Sequence, residues 1–283
     1  MQFIASAYSA YSPRFALLFD CDGVILETEE LHRLAYNDAF RHFELTIDGT
    51  PVEWSVEYYD ILQNTVGGGK PKMFWHFRNT AQAFPMAGQR PAPATLDEQE
   101  ELIDAVQTWK TNRYKELLEN EAKARPGVLE LMDEALNDPT IAVGVCSAAT
   151  KAAAVKTLDI TLGADRVKRL DVCILGDDVS AKKPDPLIYH TAAQRLNMPV
   201  ERCVVIEDSL VGLRAAKAAN MKCLITYTSS TASADFYGEG ADAKVPELAA
   251  RGVNLESIFG PLRVNGPNAE ILVGLKDPVT ISA

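Results

Sequence analysis

The chain has 283 residues, of which 47% are hydrophobic and 24% charged, close to the averages of soluble globular proteins, which excludes a largely disordered or fibrous chain. No apolar run approaches the roughly 20 residues that a membrane-spanning helix needs. Asp and Glu number 39 against 28 Lys and Arg, which leaves a formal net charge of −11. Because a surface of that sign repels nucleic-acid phosphates, we expect neither a membrane nor a nucleic acid as partner.

The cysteines and the start of the chain bear on the compartment. There are five cysteines, an odd number with no Cys-x-x-Cys pair, and all lie in or beside apolar runs. This favours reduced, buried thiols. Residues 1–14 are rich in serine and contain no acidic residue, which weakly resembles the end of an organelle transit peptide.

Short apolar runs recur along the chain and are typical of strands buried on both faces of a parallel sheet. Helical patterns separate them, at 126–135, 151–158, 186–196 and 210–219. Strands that alternate with helices at this spacing predict a doubly wound, Rossmann-like α/β domain. The predicted strands are Phe15–Phe19, Ile141–Cys146, Val172–Leu175, Cys203–Ile206 and Cys223–Thr226.

One long segment interrupts this alternation. Residues 29–123 contain no comparable strand run and begin and end with helical patterns, so they predict a helical cap domain inserted into the α/β core. The core would comprise 13–28 and 124–245, and residues 246–283 would form an extension of unknown role. Within the cap, Gly67-Gly-Gly-Lys70-Pro is expected to be a turn.

Polar residues follow the predicted strands. Ligands of open α/β sheets bind beyond the carboxyl ends of the strands, so these residues should meet at one edge. The first strand is followed by two aspartates, the second by a serine, the third by a loop with a lysine, and the fourth by two acids. In chain order they are Asp20, Asp22, Ser147, Lys183, Glu207 and Asp208.

This inventory fits phosphoryl transfer. One carboxylate can attack phosphorus to form an aspartyl phosphate, while a second carboxyl protonates the leaving oxygen and then activates water. Carboxylate oxygens suit Mg²⁺, which neutralises the attacking group and the phosphoryl group. A lysine and a hydroxyl would hold the remaining phosphate oxygens.

In this order, four motifs resemble those of the haloacid dehalogenase superfamily: Asp20-Cys-Asp22-Gly-Val, Ser147, Lys183-Pro-Asp-Pro and Glu207-Asp208-Ser. The resemblance implies a hydrolase with a helical cap, in which Asp20 is the nucleophile and Asp22 the general acid and base. Ser147 and Lys183 would hold the phosphate. The implied Mg²⁺ ligands are Asp20, the backbone carbonyl of Asp22, Asp208, and Glu207 directly or through water.

Further segments are similar to the CbbY group of this superfamily, phosphatases that the resemblance associates with xylulose 1,5-bisphosphate, an inhibitory by-product of Rubisco. It implies hydrolysis to xylulose 5-phosphate and a location in the chloroplast stroma, with a bacterial-type cytoplasm as the alternative. Ala148 and Ala149 depart from the expected hydroxyl or amide side chains, although the Ala148 backbone N–H could still bind phosphate. The implied substrate-binding residues are Glu29, His32, Lys70, Arg125, Ser147, Ala148 and Lys183.

Three other activities stay open at this point. A sugar phosphomutase would use the same motifs, with Asp22 returning its proton to a second sugar oxygen. A dehalogenase needs neither Mg²⁺ nor a second aspartate, and is disfavoured by Asp22. A non-catalytic Mg²⁺-dependent binding module is disfavoured by the long cap. We expect a small-molecule sugar phosphate as substrate and favour a monomer, although the sequence leaves the oligomeric state undetermined.

Overall fold

The computed structural model describes residues 13–250, 252–260 and 275. They divide into two compact units: Thr28–Ala122, called the cap unit here, and the residues up to Glu27 and from Lys123 onward, called the core unit. No helix within these described ranges has the length and apolarity needed to cross a membrane.

The elements follow one another along the chain as two sets. The strands are β1 Phe15–Phe19, β2 Leu45–Ile47, β3 Thr50–Pro51, β4 Met86–Ala87, β5 Ile141–Cys146, β6 Val172–Ile174, β7 Cys203–Glu207, β8 Lys222–Thr226 and β9 Ala243–Val245. The α-helices are α1 Thr28–His42, α2 Val56–Thr65, α3 Gly69–Trp75, α4 Leu96–Glu121, α5 Val128–Leu136, α6 Lys151–Leu162, α7 Ala164–Arg169, α8 Leu187–Arg195, α9 Leu210–Ala218 and α10 Leu255–Phe259.

The core unit is built on a six-stranded parallel sheet in the order β6-β5-β1-β7-β8-β9. β1 lies between β5 and β7, with Phe19 paired to Val145 and to Ile206. Every residue of β1, β5 and β7 is buried, as expected for strands with helices on both faces. The predicted parallel α/β sheet is therefore confirmed, and β9, whose three residues form no apolar run, is an additional strand.

The chain after β9 contributes to the same hydrophobic core. Leu248, Leu255, Ile258 and Phe259 are buried in the cluster that covers one face of the sheet. The rings of Phe15 and Phe259 lie 5.1 Å apart between centroids. The described part of the segment 246–283, to which the sequence assigned no role, therefore completes the core unit.

The cap unit contains the predicted helices at both of its ends, α1 and α4. It also contains a small antiparallel sheet, β3-β2-β4, that was not predicted. The long helix α4 starts at a capping box, in which Thr95 accepts the Glu98 N–H and Glu98 accepts the Thr95 N–H. The expected turn around Lys70 was wrong, because α3 begins at Gly69 and Lys70 lies in its first turn.

The described residues include all five cysteines, and each is a free thiol. Cys21, Cys146, Cys203 and Cys223 are buried, while Cys173 is partly buried. Burial raises the pKa of each of these thiols, so they remain protonated and act as small apolar groups. The prediction of reduced cysteines is confirmed.

Leu17 provides a test of the core. Its side chain is fully buried in the central strand β1, so Leu17→Ala should lower the free energy of unfolding of the core unit by about 2–5 kcal/mol through lost burial and the remaining cavity. Val211→Ala, at an exposed position, should change it by no more than about 0.5 kcal/mol. Urea unfolding followed by circular dichroism measures both, and equal losses would contradict the assignment of the core.

Candidate active site

The sheet order places the predicted chemical groups at one edge. Asp20 follows the central strand β1, Ser147 follows its neighbour β5, and Glu207 ends the other neighbour, β7. Lys183 comes from the loop after β6. Because all of these strands are parallel, their carboxyl ends meet where the chain switches from one side of β1 to the other.

Lys183 connects these groups. Its ammonium donates hydrogen bonds to Asp20 Oδ1 at 2.5 Å, to Glu207 Oε1 at 2.7 Å and to the Cys146 carbonyl at 3.1 Å. The Lys183 side chain is only 7% exposed. An ammonium has three donors, so the protein uses all of them and fixes the position of the positive charge.

Glu207 is also fully hydrogen bonded. Its Oε1 accepts from Lys183 and from the hydroxyl of Tyr189, the latter at 2.7 Å, and its Oε2 accepts the Asp208 N–H at 3.1 Å and the Ser209 hydroxyl at 3.3 Å. These bonds engage about four lone-pair directions, the capacity of a carboxylate. A Cβ at Gly212 would lie 1.9 Å from the Glu207 carboxyl carbon, so glycine there makes room for it.

Burial shifts the protonation of the carboxyl groups. It raises the pKa of Asp20 to about 7, with Glu207 and Asp22 adding to the rise and Lys183 opposing it. It also raises the pKa of Asp208 well above its usual range, again with help from neighbouring carboxylates. For Lys183, burial alone lowers the pKa, but Asp20 and Glu207 outweigh it and the pKa rises. The site thus holds more negative than positive charge.

The same carboxylates could hold a metal ion. One oxygen each of Asp20, Glu207 and Asp208 lies within 4.8 Å of the others. Gly23 permits the approach of Asp208, because a Cβ at Gly23 would lie 2.0 Å from Asp208 Oδ2, and its φ of +83° suits glycine. Crowded, buried carboxylates with raised pKa values and oxygen ligands fit Mg²⁺. Because Glu207 is already saturated, Asp20 and Asp208 are the side chains best placed to bind it.

The remaining core residues that the sequence singled out have definite positions. Asp22 is exposed beyond the end of β1, two residues from Asp20. Ser147 is fully buried and its Oγ accepts the Ala149 N–H at 3.1 Å, while its own N–H donates to the Ile174 carbonyl. The Ala148 carbonyl faces Lys182, whose ammonium lies 3.5 Å away. Their catalytic and binding roles stay predictions.

Arg125 is a structural residue in this arrangement, which does not support its expected contact with substrate. Its guanidinium donates to backbone carbonyls from three loops, and its own N–H donates to the Ile25 carbonyl at 2.8 Å. Four of its five side-chain donors are thereby used. The side-chain acceptors are the carbonyls of Gly23, Thr226, Tyr227 and Pro246. Arg125 ties the loop after Asp22 to the ends of β8 and β9.

The cap unit contains a second polar cluster, around Glu29 and His32. Lys110 is only 5% exposed, and its ammonium donates to His32 Nδ1 at 2.7 Å. Burial, with the repulsion of Lys110 and Lys72, lowers the pKa of His32 to about 3, so His32 is neutral. The Tyr59 hydroxyl donates to Glu29 Oε2 at 3.0 Å, and Lys72 lies 3.4 Å from the same hydroxyl.

Lys70 differs from the lysines of this cluster. It is half exposed and forms an ion pair with Asp104 at 2.6 Å. Lys72 and Lys110 are both more deeply buried, and burial lowers the pKa of Lys110 to about 8. The sequence could have indicated Lys110, because it continues the apolar stripe of α4 through Ile103 and Val106 at helical spacing. No comparable pattern marks Lys72.

Comparisons with known proteins agree with this geometry. Residues 16–220 match the sequence profile of the haloacid dehalogenase-like hydrolases. A haloacid dehalogenase-like hydrolase domain-containing protein of Arabidopsis thaliana is 48% identical over 83% of this chain and 74% of its own length. A CBBY-like protein of the same plant is 39% identical over 81% of this chain and 67% of its own.

A solved structure extends the likeness. It is a mutant of CbbY from Rhodobacter sphaeroides in complex with xylulose 1,5-bisphosphate, 33% identical, with a TM-score of 0.58 over 86% of this chain and 100% of that one. The chain belongs to the haloacid dehalogenase-like hydrolase family. Within that family it is an enzyme of the CbbY-like phosphatase group.

Asp208 provides a test of the charge imbalance without metal. Its folded-state pKa lies above the unfolded value near 3.8, so its folded state binds more protons, and stability falls as the pH rises above about 4. Asp208→Asn should therefore raise Tm by on the order of 2–4 °C at pH 8 in chelator, with no gain near pH 3.5. Added Mg²⁺ should raise Tm of the wild type and not of the variant.

Asp242→Asn is the matched control. Burial alone would raise the pKa of Asp242, but hydrogen bonds from Lys222, Lys217 and the Cys223 N–H lower it. Its contribution to stability is therefore present above the unfolded pKa and lost as the pH falls, so this variant should lower Tm at pH 8. A lower Tm for Asp208→Asn at pH 8 in chelator would contradict the charge imbalance.

Proposed function

We propose that this enzyme is a Mg²⁺-dependent sugar bisphosphate phosphatase that converts xylulose 1,5-bisphosphate to xylulose 5-phosphate. The observation that carries the phosphatase chemistry is the buried ammonium of Lys183, fixed between Asp20 and Glu207 with Asp208 beside them. The xylulose 1,5-bisphosphate bound to a CbbY mutant supports the choice of substrate.

The proposed reaction has two displacements on phosphorus. In the first, an oxygen of Asp20 forms a bond to phosphorus while the bond to the sugar oxygen breaks, and Asp22 donates a proton to that oxygen. In the second, Asp22 removes a proton from water, whose oxygen displaces Asp20 and releases inorganic phosphate. Asp22 is exposed to solvent in the core unit, so a water molecule can reach it.

The positive charge of Lys183 has to serve the phosphoryl group as well as Asp20. Its ammonium is dehydrated and already fixed, so it need not be reoriented as charge develops on the phosphoryl oxygens. Ser147 and the backbone N–H of Ala148 would bind the remaining oxygens. Asp20, Asp208 and the backbone carbonyl of Asp22 would hold Mg²⁺, which when bound neutralises the attacking carboxylate and the phosphoryl group.

A second phosphate on the substrate needs its own cations. In the cap unit, Lys72 and Lys110 lie in one polar cluster with a single carboxylate, Glu29, and a neutral His32. We propose that this cluster binds the second phosphate and that Lys72, whose ammonium has only a long 3.4 Å bond to Tyr59, contributes most. The location in the chloroplast stroma stays a prediction.

Asp20→Asn tests the nucleophile. Asparagine keeps the shape of the side chain but cannot form the acyl phosphate, so kcat should fall at least about 10³-fold in a phosphate-release assay with Mg²⁺. Asp171→Asn is the control, because Asp171 accepts the Val143 N–H at the amino end of β6 and should keep activity. Retention of a tenth of the wild-type rate by Asp20→Asn would rule out covalent catalysis by this residue.

Lys72→Met tests the second phosphate. Loss of a charged contact contributing about 1.5–3 kcal/mol should lower kcat/KM for xylulose 1,5-bisphosphate about 10- to 150-fold, and should leave a sugar monophosphate nearly unaffected. Lys70→Met removes the same charge from an exposed ion pair and should change kcat/KM less than about threefold. A larger loss from Lys70→Met would restore the assignment made from the sequence.

Phosphate release without a bisphosphate primer separates hydrolysis from phosphomutase activity. A mutase would instead return the phosphoryl group to a second sugar oxygen and release little inorganic phosphate. The same assay, run on mono- and bisphosphorylated sugars, measures the preference for a second phosphate.

A further inference from the structure

We propose that Tyr189 is a positioning residue for Lys183, acting through Glu207; this inference rests on the proposed function, in which Lys183 serves the phosphoryl group. Tyr189 lies on α8, is fully buried, and belongs to none of the four motifs. Its hydroxyl donates to Glu207 Oε1 at 2.7 Å, the oxygen that also accepts from Lys183 at 2.7 Å.

The shared oxygen gives the hydroxyl its effect. Glu207 and Asp20 compete for the same ammonium, and the Tyr189 hydroxyl satisfies part of the charge on Glu207 Oε1. Lys183 is consequently held less strongly by Glu207 and remains available to Asp20, 2.5 Å away, and to a phosphoryl group. Without the hydroxyl, Glu207 would attract Lys183 more strongly and draw its charge away from the reacting atoms.

The tyrosine ring adds a steric limit. The Lys183 ammonium lies 5.0 Å from the centroid of the Tyr189 ring, within the range of a cation–π contact. The ring thereby supports the ammonium from below while the hydroxyl fixes the carboxylate beside it. Burial and the nearby Glu207 raise the pKa of Tyr189 well above its usual range, so the hydroxyl stays protonated and remains a donor.

Tyr189→Phe isolates the hydroxyl, because phenylalanine keeps the ring and its contact with Lys183. We expect kcat for hydrolysis of xylulose 1,5-bisphosphate to fall about 5- to 30-fold, with KM changed less than about twofold. The loss should appear in kcat because the charge of Lys183 matters most when negative charge develops on the phosphoryl group.

Ile188→Val is the matched control. Ile188 is the adjacent buried residue of α8 and packs only in the hydrophobic core, so its truncation weakens packing without touching the hydrogen bonds. It should lower Tm at least as much as Tyr189→Phe while leaving kcat within about twofold. A decrease in kcat shared by both variants would reduce Tyr189 to a packing role.

The outcomes separate the inference from the proposed function. If the wild type releases phosphate and Tyr189→Phe retains its kcat, or loses activity only through KM, the positioning role is wrong and the phosphatase assignment stands. If the wild type with Mg²⁺ releases no phosphate from any sugar phosphate, the proposed function is wrong, and the role of Tyr189 is overturned with it.

Discussion

The buried ammonium of Lys183 is the interaction on which the site depends. An uncompensated charge is unfavourable in a protein interior, so a lysine that is 7% exposed requires acceptors on every side. It finds them at the ends of β1, β5 and β7, in Asp20, Cys146 and Glu207. The parallel sheet brings these three acceptors together, and the lysine in turn fixes the positions of the two carboxylates.

Compensation at this site is incomplete. Asp20, Glu207 and Asp208 face one lysine, and the raised pKa values of Asp20 and Asp208 express the excess of negative charge. A protein selected only for stability would replace one of these acids. Their presence is understandable where the excess attracts a divalent cation and, with it, an anionic substrate that the overall charge of −11 would otherwise repel.

The sequence was a good guide wherever the signal was local. Buried strands appear as apolar runs, and the residue that follows each run lies at a known edge of the sheet, so Asp20, Ser147, Lys183 and Glu207 could be predicted to converge. Side-chain contacts from distant elements could not. The bonds of Arg125 to carbonyls after β8 and β9, and the bond of Tyr189 to Glu207, depend on long-range packing that no spacing in the sequence encodes.

The backbone bond from the Arg125 N–H to the Ile25 carbonyl has a consequence for evolution. It joins the strand-side chain just before the insertion to the chain just after it, and the Arg125 side chain reinforces the junction by holding Gly23. The core unit is therefore closed at this point whatever the inserted segment contains. Segments of different length and sequence can be exchanged here without disturbing the sheet, so substrate preference can diversify while the hydrolytic residues are retained.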